Sequence, residues 1–201
     1  MVIGVLGGTF DPPHIGHLIL AEAAREALRA DRILFVPAGD PPHKQGDTRL
    51  PVEHRLAMLT CAIDGDAHFA ISRVDLDRPG PHYTADTMHL LHRQYPHAEL
   101  YFIMGGDSLR DLPRWHRPQE LIRTCRFAVM RRTDVPADPH MHDQILPGLA
   151  ERVVMIDAPL IGLSSTDIVE RIRAGRSIRY LVPEPVEAYI RQHRLYLETM
   201  P

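Results

Sequence analysis

Short apolar runs alternate with amphipathic stretches along almost the whole chain. Val2 to Leu6, Arg32 to Pro37, Phe69 to Val74, Leu100 to Met104, Arg126 to Arg131 and Val153 to Ile156 each read as a strand. Most are near-continuous aliphatic and aromatic runs bounded by turn formers, the pattern of strands buried on both faces. Helical spacing lies between them. It predicts helices over Leu18 to Leu28, Pro51 to Ile63, Thr84 to Gln94, Leu109 to Trp115, Pro118 to Thr124 and Ser164 to Ala174, with Thr84 as an N-cap and Gly175 closing the last. Pro183 opens a final helix to 193 whose apolar face, Val186, Tyr189 and Ile190, is expected to pack on the sheet. Unbroken alternation over 201 residues predicts one domain, 1–201: an α/β fold with a doubly wound parallel sheet, helices 164–175 and 183–193 packed on it, and a site at the carboxyl ends of the strands.

Composition narrows the partners. The net charge is −3 and no basic block stands out, so no nucleic-acid partner is expected. No apolar run approaches the ~20 residues that span a bilayer and no signal peptide precedes the first strand, so no membrane partner is expected either. Cys61 and Cys125 lack metal or redox spacing and sit among apolar residues, which fits reduced thiols and a cytoplasmic protein. Nothing opposes a homo-oligomer. Of 13 histidines, only His140 and His142, between Asp138 and Asp143, resemble a metal cluster, and their Pro-rich setting favours a solvated loop. Among 23 basic residues Lys44 is the single lysine, in the polar loop from Ala38 to Leu50. Either this is an accident of composition, or the site needs a flexible ammonium rather than a planar guanidinium.

The densest chemistry is Gly7-Gly8-Thr9-Phe10-Asp11-Pro12-Pro13-His14-Ile15-Gly16-His17. Two glycines after a buried strand let the backbone approach a ligand, and the helix that follows offers free N–H groups and a positive dipole end, which together bind anions. His14 and His17 are three apart, so both rings are expected on one side of the first turn, where they suit a phosphate chain. A second anion site is expected where Ser164-Ser165-Thr166 opens the penultimate helix, one of its hydroxyls serving as the cap.

The first string resembles the signature of the nucleotidylyltransferase superfamily, Gly-Gly-Thr-Phe-Asp-Pro followed by His-x-Gly-His. His14 to His17 also matches the first signature of class I aminoacyl-tRNA synthetases, but a chain with one lysine lacks their lysine-rich second signature. Gly80 to Thr87, Ile103 to Leu109, Leu112 to Arg117 and Tyr180 to Pro183 narrow the resemblance to bacterial nicotinate mononucleotide adenylyltransferases. The resemblance implies a Rossmann-like fold and adenylyl transfer from ATP to nicotinate mononucleotide, with Mg²⁺ held mainly by the substrate phosphates. It implies His14, His17 and Lys44 as catalytic, and Gly7, Gly8, Thr9, Phe10, His14, His17, Ser164, Ser165 and Thr166 as the ATP site. For nicotinate mononucleotide it implies Gly8, Lys44, Thr84, Gly105, Asp107, Trp115 and Arg132, with Thr84 and Trp115 at the pyridine ring. The only tryptophan, set among Pro113, Arg114, His116 and Arg117, has little reason to be core. One departure stands out: Val169 occupies a place where the superfamily carries arginine, leaving Arg171 or Arg173 to approach from elsewhere.

Overall fold

A computed structural model describes residues 1–39, 50–131, 137–159 and 161–197. Lys44 and Arg132 lie outside the described residues. Six strands, β1 (Val2–Gly8), β2 (Arg32–Pro37), β3 (Phe69–Ile71), β4 (Glu99–Gly105), β5 (Arg126–Met130) and β6 (Val153–Ile156), form one sheet in the order β3-β2-β1-β4-β5-β6. Every pairing is parallel. This is the doubly wound arrangement, and the order reverses direction between β1 and β4, where a crevice opens at the carboxyl edge.

Residues within a strand alternate between the two faces. On one, Ile3, Val5, Phe102, Met104 and Phe127 pack under α3 (Thr84–Gln94), α4 (Gly106–Asp111) and α5 (Pro118–Thr124), with Met88, Leu109 and Leu121 fully buried. On the other, Ile33, Phe35 and Ile103 pack under α1 (Ile15–Leu28) and α2 (Val52–Ile63) through Ala21, Ala24 and Leu59. Strand ends β2 and β6 fall where the apolar runs predict them. The third strand is shorter than expected, ending at Ile71 rather than Val74.

Three placements differ from the sequence expectation. Tyr83, with φ −91° and ψ 142°, holds the cap position of α3, and Thr84 is the first helical residue. The extended Tyr83 backbone already accepts the first helical bond, from Thr87 N–H at 3.1 Å, so the Thr84 hydroxyl has no capping role. The helical piece after β4 begins at Gly106, without an intervening loop, and passes into a 3₁₀ turn over Leu112–Arg114. Finally, α7 (Glu184–Gln192) packs on α2 and α6 (Ser165–Arg173), not on the sheet: Val186 and Ile190 share a separate core with Met58 and Ile168. An amphipathic face identifies what is buried but not against what, and here α2 already covers the sheet with Leu59 while turning Met58 outward.

Cys125 is buried, and burial pushes its thiol up to about 12; Cys61 is half-buried, and both are free. Among the described residues, no helix is long and apolar enough to cross a membrane. His140 pairs with Asp143 at 2.9 Å, and His142 Nε2 donates to the carbonyls of Leu109 and Arg110 at the end of α4. Among the described residues no group of three His, Cys, Asp or Glu is placed to hold a metal.

The α7 placement has a measurable consequence. Ile190→Ala should destabilise the fold by about 2–4 kcal/mol, as removal of a fully buried aliphatic side chain does. Urea denaturation of both proteins measures it; a change within experimental error would show that α7 does not bury this face.

Candidate active site

A cleft of about 1390 Å³ opens over the carboxyl ends of β1 and β4. Its walls come from distant parts of the chain: the loop Gly7–Asp11, His17, the turn His82–Thr84, Trp115, the face of α6, and residues 193–196. The sequence-derived residues Gly7, Gly8, Thr9, Phe10, His17, Thr84, Gly105, Trp115, Ser165 and Thr166 all border it. His14, Ser164 and Asp107 do not.

The start of α1 is built differently from the expectation. His14 occupies the cap position and is only 7% exposed, and its ring stacks on that of His17 at 3.8 Å. It therefore lies behind His17. The backbone N–H of His14 donates to His17 Nδ1 at 3.2 Å, which leaves the proton of a neutral His17 ring on Nε2. His17 also meets the edge of Phe10 at 5.0 Å, so it is half-buried and braced on two sides rather than a free surface ring. The helix start has lost much of its donor capacity as well. Ile15 N–H donates to Leu181 O and His17 N–H to His14 O, each at 3.0 Å, so the Tyr180 to Pro183 segment docks on the end that the sequence suggested was open to an anion.

Phe10 has φ 51° and is 1% exposed, its ring packed between Phe35 and His17 beneath Gly8. Any contact it makes with a ligand is through its backbone.

The second helix start keeps the N–H groups of Ser165 and Thr166, while that of Asp167 is capped. Ser164 is the cap: its Oγ accepts from Asp167 N–H at 3.1 Å, while the Asp167 carboxylate accepts from Ser164 N–H and O–H. Ser165 Oγ donates to Pro12 O at 2.9 Å and ties α6 to the Gly-rich loop. Two of the three hydroxyls are thus spoken for, and Thr166 faces the cleft beside the first-turn N–H groups of α6. Farther along the same face come Val169 and then, one turn on, Arg173, both bordering the cleft. Arg171 is turned away, with Nε donating to Ser177 O at 2.9 Å.

At the opposite end, Trp115 has two roles. Its half-buried ring meets Phe102 edge-on at 5.9 Å, so part of it belongs to the core, and the rest borders the cleft beside Thr84. Tyr83 and His116 stack at 4.1 Å next to it. The start of α3 carries no side-chain cap. Asp75, buried at 6% exposure, accepts from the Arg78 guanidinium at 2.8 Å and the Thr87 hydroxyl at 2.7 Å and fixes this corner. Asp107 is exposed on the first turn of α4, its carboxylate folded back over Gly105.

Sequence reasoning missed the wall formed by His193, Arg194, Leu195 and Tyr196. The one available signal was an apolar pair, Leu195-Tyr196, just beyond the last helix. It also missed Asp75 and Thr87, whose role depends on contacts twelve residues apart.

Burial holds the His14 ring down at about 4 from its ordinary 6.5, against a smaller upward pull from Asp167. Between those values the unfolded chain binds more protons than the folded one, so stability should fall as pH drops from 6.5 through about 4. The His14 contribution is on the order of 3 kcal/mol. His14→Asn, which cannot titrate, should flatten that part of the profile in denaturation at several pH values; an unchanged slope would mean that His14 protonates freely in the folded protein.

Comparison with known proteins agrees with this geometry. A model of the cytidylyltransferase-like family matches residues 5–171. A probable nicotinate-nucleotide adenylyltransferase of Thermomicrobium roseum is 49% identical over 194 residues, which cover 96% of this chain and 91% of that one. One from Roseiflexus sp. is 46% identical over 194 residues, covering 96% and 97%. Among solved structures, the Plasmodium falciparum nicotinic acid mononucleotide adenylyltransferase complexed with NaAD has a TM-score of 0.77 at 20% identity, covering 96% of each chain, and speaks for the shared fold. Sheet, cleft and relatives agree: the chain belongs to the cytidylyltransferase-like family and, within it, to the nicotinate-nucleotide adenylyltransferases.

Proposed function

We infer that this chain transfers the adenylyl group of ATP to nicotinate mononucleotide, giving nicotinate adenine dinucleotide and pyrophosphate, a step of NAD biosynthesis. The observation that carries the reading is one open cleft at the β1/β4 switch point, with phosphate-binding chemistry on one side and an aromatic, donor-rich corner on the other.

The reaction is an in-line attack of the mononucleotide phosphate on the α-phosphorus of ATP. That phosphate has its second pKa near ~6 and is already a dianion at neutral pH, so no general base is required. The protein's task is to align two polyanions and to stabilise the charge that moves onto the leaving pyrophosphate. His17 donates from Nε2 toward the triphosphate, with His14 holding its ring in place. Thr166, the first-turn N–H groups of α6 and the Arg173 guanidinium receive the pyrophosphate end, Arg173 standing in for the arginine that the superfamily carries at Val169. Lys44 serves as a further phosphate donor, and Arg132 contacts the mononucleotide. Magnesium enters with ATP as part of the substrate: Asp11 and Asp75, the carboxylates bordering the cleft among the described residues, are bonded to protein donors, so the donor set suits an ion held by phosphates.

The pyridine ring lies against Trp115, and its carboxylate faces the N–H groups at the start of α3. These are donors without competing acceptors, and the helix dipole adds to them, so an acid is favoured over an amide. Pyrophosphate release measured with both mononucleotides should show a kcat/KM preference for the acid of roughly a hundredfold or more. Trp115→Ala should weaken both by similar factors, since stacking does not distinguish the two groups. Equal rates for acid and amide would remove the α3 corner from recognition, and no release with either would overturn the function.

A further inference from the structure

Residues 193–196, after α7, stay on the molecule. Arg194 and Tyr196 adopt φ of 52° and 66°, and Leu195 is buried in the core that also holds Ile190, so residues 193–196 double back along the cleft. The Tyr196 hydroxyl donates to Asp11 Oδ1 at 2.5 Å. Burial, with the Asp11 charge adding to it, raises the Tyr196 hydroxyl above its ordinary range, so it stays a donor.

Asp11 has a second engagement. Its Oδ2 accepts from Leu50 N–H at 3.0 Å. The same Leu50 is held from its other side, because Arg55, only 2% exposed, donates from Nε to Leu50 O at 3.2 Å and from Nη1 to Thr9 O at 2.8 Å. A carboxylate and a guanidinium therefore grip one backbone unit at the start of α2, and Tyr196 is the strut that closes the arrangement from the C-terminal side. Asp11 borders the cleft in the loop that leads into His14. A carboxylate on the wall of a site for polyanions repels its ligand unless its oxygens are turned into the protein and bonded there.

Resting on the reading of the cleft as an ATP site, we propose that Tyr196 is a positioning residue for the nucleotide: it holds the Asp11 carboxylate against the start of α2 and away from the phosphate chain. Without the hydroxyl, Oδ1 loses its partner, and the carboxylate is free to turn toward the phosphates. The acceptor corner at Thr84 and Trp115 is formed by other residues and is not disturbed.

The test compares wild type, Tyr196→Phe, Asp11→Asn and the double variant, with ATP and nicotinate mononucleotide varied separately and ATP affinity measured by titration calorimetry. Tyr196→Phe should raise the KM and Kd for ATP roughly five- to tenfold, as one carboxylate charge turned toward the phosphates in a solvent-open cleft does, and leave the acceptor KM within about twofold. Added salt should shrink the ATP defect. Asp11→Asn in the Tyr196→Phe background should restore ATP affinity to within about threefold of wild type, because the freed charge is gone. Equal losses for both substrates, unchanged ATP affinity, or a double variant worse than Tyr196→Phe would overturn the proposal and make Tyr196 a stability contact only. A wild type that binds ATP but does not use nicotinate mononucleotide would overturn the acceptor assignment alone, with Kd still deciding the role of Tyr196. A wild type that binds no ATP would overturn both.

Discussion

The site depends on how β1 ends. At Gly8 the chain turns under itself so that the Phe10 ring packs directly beneath the backbone, and a Cβ at Gly8 would lie 2.9 Å from that ring. Phe10 accepts a left-handed backbone to make the turn, and its ring then becomes the floor on which His17 rests and the neighbour of Phe35 on β2. This close approach of aromatic ring to glycine sets where α1 begins and hence where the stacked histidines stand. A side chain at residue 8 would displace the ring, and with it the histidine pair and the loop residues that Arg55, Leu50 and Ser165 hold.

A chain with net charge −3 must bring two anions together, so favourable charge has to be local. It comes from helix ends and a few side chains rather than from an overall field. The start of α6 keeps the N–H groups of Ser165 and Thr166, whereas the start of α1 has given Ile15 N–H to Leu181 and borders the cleft through His17. Among the described residues, the carboxylates that border the cleft are each satisfied from within the protein, Asp75 by Arg78 and Thr87 and Asp11 by Leu50 and Tyr196. Arrangement, more than composition, makes the cleft suitable for phosphates.

Much of this was legible in the sequence because parallel strands buried on both faces are written as plain apolar runs. Val153–Ile156 and Arg32–Pro37 needed nothing more, and the glycine and histidine string marked one wall of the cleft. What the sequence did not carry was the identity of partners. That α7 rests on α2, that Leu181 reaches α1, and that Tyr196 meets Asp11 across 185 positions are outcomes of tertiary packing, and each altered the reading of a local motif. Thr84 is the smaller case: a threonine before a helical pattern signals a cap, but an extended Tyr83 took the position first. Arg171 and Arg173 were equivalent by spacing, and only the bond from Arg171 to Ser177 separated them.

In the proposed reaction the cleft aligns two bound substrates for direct displacement, with no protein nucleophile between them. The most direct measurement is the stereochemical course at phosphorus, using a single diastereomer of ATP that carries sulfur on the α-phosphorus and nicotinate mononucleotide as acceptor. One in-line displacement inverts the configuration in the dinucleotide product, and inversion is the result this account predicts. Retention would mean two displacements through an adenylylated side chain, and would contradict it.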